Sequence, residues 1–298
     1  MKLADQWYQL VSPAAKHVVR KLYYHSSVRR LFFLPVDLLD KALGRRDPLI
    51  PPRWMVFVGG CNFNDQEFLR YFAELGGLKP GDRVLDVGCG IGRMAVPLTK
   101  FLDERGSYEG FDIVPDGITW CQSQITPRFP RFRFTLADIY NGLYNPGGRY
   151  KATDYVFCYP DASFDFVFLF SVFTHMLPAD MENYLRQIVR VLRPGGRCFF
   201  TYFLITPEAE ALINNRVSTL PMREQPGGYS TIDRGTPEYD VAHPESTVLG
   251  LFGELGLELT CPVQYGTWCG RASGFTYQDV LVARKAAPGD HPFRDPMS

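Results

Sequence analysis

Val84-Leu85-Asp86-Val87-Gly88-Cys89-Gly90-Ile91-Gly92-Arg93 is the stretch on which the fold turns. Four residues read as a buried strand, and a turn with glycine at 88, 90 and 92 delivers the chain into a helix expected over Met94 to Leu102. Glycine is needed where the backbone must approach a ligand closely, because any side chain would stand in the way. The helix start beyond the turn adds amide donors without partners of their own. A dinucleotide turn has the spacing G-x-G-x-x-G, but here the last position is Arg93. The alternative without a ligand is a tight strand–helix turn and nothing more.

Outward from this turn the chain alternates strand and helix. Before it, Gln66 to Leu75 reads as a helix stopped by Gly76-Gly77. After it, strands are expected at Ser107–Phe111, Phe132–Thr135, Phe166–Phe170 and Arg197–Phe203. Helices are expected at Ile118–Gln124 and Met181–Leu192. Such alternation predicts a doubly wound α/β fold, a mostly parallel sheet covered on both faces. Residues 204–246, rich in Pro, Gly, Thr and Tyr, break the rhythm and read as a long substrate-side loop. A helix at Ser246–Leu255 and strands at Leu257–Cys261 and Tyr277–Ala283 follow. The resulting division is a helical N-terminal extension over 1–52, a main domain over 53–286 with the insertion 204–246, and a tail over 287–298. Within the extension, Ser12-Pro13 opens one short helix, and Asp37 to Leu43 forms another that stops at Gly44.

Composition narrows the function. Lys+Arg and Asp+Glu both number 32, so no net charge argues for a nucleic-acid partner. The seven cysteines are scattered without a Cys-x-x-Cys pair, which implies neither a disulfide framework nor a zinc site. No secretory leader or apolar span is read, and a cytoplasmic enzyme is expected. Residues 1–50 nevertheless hold nine Lys/Arg against four Asp. Residues 13–34 mix those cations with Val18, Val19, Leu22, Leu31, Phe32 and Phe33, a composition that suits either peripheral contact with an anionic membrane or packing on the protein itself or another subunit.

Acidic residues at the strand ends carry the rest of the case. Asp112 ends the second strand, twenty residues past Gly92, where a carboxylate can accept both hydroxyls of a ribose. Asp138-Ile139 follows the third strand, where a polar group can meet an adenine. With these motifs in order, residues 60–285 resemble the class I S-adenosylmethionine-dependent methyltransferases, in particular small-molecule members of bacterial biosynthesis. The resemblance implies a seven-stranded sheet ending in an antiparallel hairpin, with S-adenosylmethionine as cofactor, S-adenosylhomocysteine as product and no metal. Asp86, Gly88, Cys89, Gly90 and Gly92 would then hold the methionine part, Asp112 and Ile113 the ribose, Asp138 and Ile139 the adenine. Phe170 and Ser171, after the fourth strand, are further cofactor candidates.

Methyl transfer is an in-line displacement, so the protein mainly aligns the reactants. An aliphatic hydroxyl acceptor also needs a base. His175, in Ser171-Val172-Phe173-Thr174-His175-Met176, follows the fourth strand at the ligand edge of the sheet and is the first candidate, against a packing role. His243 is the second. Tyr202, Tyr239, Trp268 and Arg271 are candidates for contact with the acceptor, although Trp268 and Arg271 could instead fasten the last hairpin. The expected reaction is O-methylation of a sugar, glycolipid or other natural product. N- or C-methylation and a non-catalytic cofactor-binding scaffold are the alternatives. The segment after the fourth strand lacks the Asn/Asp-Pro-Pro-Tyr/Phe pattern of nucleic-acid methylation.

Overall fold

The computed structural model describes residues 26–45, 47–56 and 66–287. The expected helix after Ser12-Pro13 lies outside these residues, as does most of the tail. The first described element is one continuous helix, α1 (Ser26–Ala42), and not the separate piece expected from Asp37. Pro35 lies inside it, where the missing amide and the ring would ordinarily break a helix. A clamp that straddles the proline holds the two halves in line. Before it, Arg29 donates to the backbone carbonyls of Arg53, Trp54 and Val56. After it, Asp37 and Asp40 pair with the Arg53 guanidinium at 2.8 and 2.6 Å. Gly44, at φ +63°, then ends the helical path.

Helix α2 (Gln66–Glu74) leads into the main sheet, with β1 (Arg83–Val87), α3 (Ala95–Phe101), β2 (Ser107–Asp112), α4 (Pro115–Gln124), β3 (Phe132–Leu136), β4 (Phe164–Leu169), α5 (Pro178–Val191) and β5 (Leu192–Tyr202) in succession. Seven strands line up in the order β10-β11-β5-β4-β1-β2-β3, with β10 (Leu257–Leu259) and β11 (Asp279–Lys285) near the C-terminus. All neighbours run parallel except β11, which is antiparallel to both β5 and β10. This is the expected doubly wound sheet with its terminal antiparallel pair.

The strands are apolar on both sides because both faces are covered. Leu85, Val87, Val167, Leu169, Phe200 and Leu281 enter one core. Their alternates Val84, Phe166, Phe168, Phe199 and Val280 enter the other. The fifth strand begins earlier than its apolar run suggests, because Arg193–Gly196 forms an irregularity in the ladder between Phe164↔Leu192 and Phe166↔Arg197.

Residues 204–246 are not a loop. They form β6 (Leu204–Ile205), α6 (Pro207–Asn214), β7 (Arg223–Gln225), β8 (Tyr229–Thr231) and β9 (Val241–Pro244). These strands make a second sheet in the order β6-β9-β8-β7, before α7 (Glu245–Glu254) resumes the main alternation. Phe203, Met222, Ala242, Trp268 and Cys269 give it a small core of its own.

Candidate active site

Strand order reverses between β4 and β1, and at the carboxyl ends of these strands and β2 lies a cavity of about 410 Å³. A crevice of this kind is where open α/β sheets bind ligands. Its walls come from the turn after β1 (Gly88, Cys89, Gly90), the end of β2 (Asp112, Ile113) and the segment after β4 (Phe170, Ser171, Val172).

All three glycines of the turn adopt positive φ, at +86°, +55° and +78°. They differ in what surrounds them. A methyl group on Gly92 would stand 2.8 Å from Ile125 Cδ1 and 3.0 Å from Cys121 Sγ. Gly92 does not line the cavity, and its bareness lets α4 approach. A methyl on Gly90 would meet nothing within 4 Å, and Gly90 does line the cavity. Ligand space therefore belongs to Gly90 and close packing to Gly92.

Four amides of this turn are already engaged within the fold. Gly88 and Cys89 both donate to the Phe111 carbonyl, Gly92 donates to Cys89, and Gly90 donates to Asp112 Oδ2 at 2.7 Å. The helix that follows starts only at Ala95 and is seven residues long, so it adds no strong terminus. The expectation of an amide cradle gives way to a different geometry. The bend is stitched to β2, and it presents space and carboxylates in place of donors.

Two carboxylates stand at this point, Asp86 buried and Asp112 half-buried. Asp86 accepts a hydrogen bond from the Tyr108 hydroxyl at 2.6 Å, and its pKa is pushed up to about 8. Burial is the main cause. The Asp112 charge adds to it, while the Tyr108 bond and Arg93 oppose it. Asp112 also lies above the usual carboxylate range through burial, although the amides of Val114 and Gly90 hold it down. Each Asp112 oxygen accepts one amide, from Gly90 or Val114, so lone pairs remain for a diol.

Ile139 is buried and lines the cavity, but Asp138 does not. Asp138 is exposed, and its carboxylate faces the Arg149 amide at 3.3 Å. The chain bends after β3, and only the second residue of the expected pair reaches the ligand space. Ser171 takes the left-handed conformation at φ +58°, uncommon for a side-chain-bearing residue. Its amide donates to Thr201 Oγ1 at 2.8 Å and its hydroxyl to Gln278 Oε1 at 3.0 Å.

His175 lies on the cavity wall, at the end of a short 3-10 turn, Phe173–His175. Its Nδ1 is 3.0 Å from the Glu238 carbonyl, and the Tyr144 ring meets the imidazole edge-on at 5.3 Å. Burial lowers its pKa below the ordinary histidine value. Asn141 donates to the His175 carbonyl while its own Oδ1 receives the amides of Leu143 and Tyr144.

Asn141, Tyr144, Lys151, Asp180 and Glu238 therefore share the wall with His175, and sequence reasoning named none of them. Three come from the irregular stretch between β3 and β4, which has no periodic signal. Its place just past the carboxyl end of β3 was the available clue. Glu238 comes from the insertion, and its carboxylate receives the Gly142 amide at 3.3 Å.

The remaining candidates lie elsewhere. His243 is buried on β9 with Nε2 3.2 Å from the Phe173 carbonyl, and burial lowers its pKa to about 4. It braces the turn that carries His175 and does not line the cavity. Tyr202 is fully buried and stacked on Phe173 at 4.8 Å. Tyr239 neighbours Glu238 without joining the wall. Trp268 is fully buried and donates Nε1 to Asp279 at 2.7 Å. Arg271 reaches Glu208 at 2.8 Å and Asp279 at 3.3 Å. Both stand outside the ligand space: Trp268 is held by Asp279 at the start of β11, and Arg271 links Asp279 to Glu208 of the insertion. Among the described residues no group of three or more His, Cys, Asp or Glu is placed to hold a metal ion.

Comparison with known proteins agrees with this geometry. The family described as methyltransferase domain matches residues 62–236. The 27-O-demethylrifamycin SV methyltransferase of Amycolatopsis mediterranei (strain S699) is 32 % identical, over 45 % of this chain and 43 % of its own. A sterol 24-C-methyltransferase of Aspergillus fumigatus (strain ATCC MYA-4609 / CBS 101355 / FGSC A1100 / Af293) is 33 % identical, over 42 % of this chain and 29 % of its own. The chain thus spans less than half the length of these relatives. Among solved structures, the PH0226 protein from Pyrococcus horikoshii OT3 superposes with a TM-score of 0.50 at 18 % identity, covering 75 % of this chain and 93 % of that one, a likeness of fold alone. A family match over more than half of the chain, on a sheet of this order with this turn at its switch point, shows that the chain belongs to the methyltransferase domain family, of the class I type whose cofactor is S-adenosylmethionine.

Proposed function

We propose that the chain transfers a methyl group from S-adenosylmethionine to a hydroxyl oxygen of a small-molecule acceptor, with His175 taking the proton. The cavity residues fit the cofactor. Gly90 leaves room beside the backbone, Asp112 keeps acceptor capacity for a ribose diol, and Ile139 offers an apolar wall for a base. Asp86, the buried carboxyl beside the turn, lines the same cavity, which supports a contact with the methionine part. When bound, S-adenosylmethionine supplies a methyl carbon activated by the neighbouring sulfonium.

The observation that carries the oxygen assignment is the bond between His175 and Glu238. A carbonyl only accepts, so Nδ1 must hold the hydrogen. In the neutral ring Nε2 then keeps the lone pair, which is the tautomer a base requires. Burial, by lowering the pKa, keeps that ring unprotonated near neutral pH. The relatives do not decide the acceptor atom, since one is named for oxygen and the other for carbon. A fold of this kind hosts many chemistries, and the choice rests on the site.

The test is transfer of labelled methyl to a panel of hydroxyl and amine acceptors by the wild type and His175→Ala. Hydroxyl acceptors are expected to be labelled, with kcat lower by ~10²–10⁴ in the variant. S-adenosylhomocysteine affinity is expected to stay the same, and wild-type activity to fall only toward acid pH. Undiminished turnover in the variant would make His175 a packing residue.

A further inference from the structure

Helix α1 docks by its charged side and turns its apolar side outward. Arg29, 4 % exposed, Asp37 and Asp40 face the 3-10 turn Arg53–Met55 through the bonds that straddle Pro35. On the opposite side Leu31 and Phe32 are 76 % and 71 % exposed, Leu38 and Leu39 both 57 %. Val36 and Leu43 are exposed as well. At 3.6 residues per turn these six residues fall within one arc of roughly 160°. An apolar face of this size is out of place in water, and the ion pairs with Arg53 prevent the helix from rolling over to hide it.

We propose that this face of α1 lies in an anionic phospholipid surface. Charge selects that occupant over a second copy or another apolar protein face. Lys41 and Arg45 are exposed toward one edge and the end of the helix, and Arg30, also exposed, lies over the Trp54 ring on the docked side. Two of the four acidic residues in 1–50, Asp37 and Asp40, are spent on Arg53, so the face meets its surroundings with cations. Apolar residues flanked by Lys and Arg are what a helix lying in the headgroup layer needs. Placement adds a consequence. Met55, the last residue of the turn to which α1 is bolted, lines the cavity, so a docked helix would hold the ligand space close to the lipid.

Co-sedimentation of the full chain with phosphatidylcholine vesicles, pure or containing phosphatidylglycerol, tests this. The wild type is expected to pellet with the anionic vesicles, to pellet at least about tenfold less with neutral ones, and to be released by high salt. Leu31→Ser/Phe32→Ser/Leu39→Ser and, separately, Arg30→Gln/Lys41→Gln/Arg45→Gln should each lower binding by at least about tenfold. Unchanged affinity for S-adenosylhomocysteine would show that the variants remain folded, and the salt and lipid comparisons on the wild type need no variant. A wild type that ignores anionic vesicles at low salt overturns the proposal. A serine variant that pellets like the wild type does so too. A serine variant that turns a dimer into a monomer without touching vesicle binding would assign the face to a second copy. One that loses thermal stability while still pelleting normally would assign it to another part of the chain.

Discussion

Burial sets the protonation of Asp86, and with it a pH dependence of the whole protein. In the unfolded chain this carboxyl ionises near its ordinary value of about 4, whereas in the fold its pKa is pushed up to about 8. Between those values the unfolded state has released a proton that the folded state retains. Stability therefore falls as pH rises through that window, by at most ~1.4 kcal/mol per pH unit for one group. Asp86→Asn keeps an acceptor for the Tyr108 hydroxyl and removes the charge that burial penalises. Its advantage over the wild type in urea melts should be small near pH 5 and grow toward pH 8 (about one and four units above the ordinary carboxyl value). A constant difference at both ends would refute the burial account. At this scale the sequence was read well where backbone geometry forces the residue type. Asp86, Gly88, Gly90 and Asp112 line the cavity, whereas Gly92 serves the packing of α4. The sequence was read poorly where a side chain's role depends on who its neighbour is, as for Asp138, which faces the Arg149 amide.

Among the elements, the strands of the main sheet were plain in the sequence because turns bound them and their buried positions are apolar, continuously in most of β4 and alternately in β3. The insertion was not. Its strands are two to four residues long, too short for any period to register, and what orders them is tertiary: Trp268, Arg271 and Asp279, from beyond α7, are fastened against it. Helix α1 was misread for a similar reason. Pro35 argues for a break, and the clamp that overrides it comes from Arg53 and a helix-to-turn contact that local pattern does not encode. The fastening role of Trp268 is open to test. Asp279 is fully buried and accepts from Trp268 Nε1, the amides of Leu204 and Gly266, and Arg271. Trp268→Phe removes one donor from this carboxylate, at a cost of about 1–3 kcal/mol, measured as a lower thermal midpoint. S-adenosylhomocysteine affinity is expected to stay within about twofold, well under the tenfold that 1.4 kcal/mol would give. Normal stability with lost turnover would instead return Trp268 to the acceptor site.

For the molecule as a whole, the cavity draws its walls from parts distant in sequence. The turn after β1 and Asp112 belong to the main sheet, while Glu238, whose carbonyl meets the His175 ring and whose carboxylate meets the Gly142 amide, belongs to the insertion. A ligand seated between them touches both sheets of the fold, so its binding free energy adds to the stability of the native state as a unit. At a concentration one hundred times its Kd, S-adenosylhomocysteine should add about 2.7 kcal/mol. For a chain of this size that corresponds to a rise of roughly 5 °C in the thermal midpoint. NAD at the same concentration should leave the midpoint where it is, because the third glycine of a dinucleotide turn is replaced by Arg93, whose guanidinium lies over the Phe170 ring at 4.9 Å on the cavity wall. His175→Ala should keep the full shift if the imidazole serves the acceptor as proposed, whereas Gly90→Ala, which places a methyl group in the open space beside the turn, should lose most of it. A shift with NAD and none with S-adenosylhomocysteine would overturn the assignment of this cavity to the methyl donor.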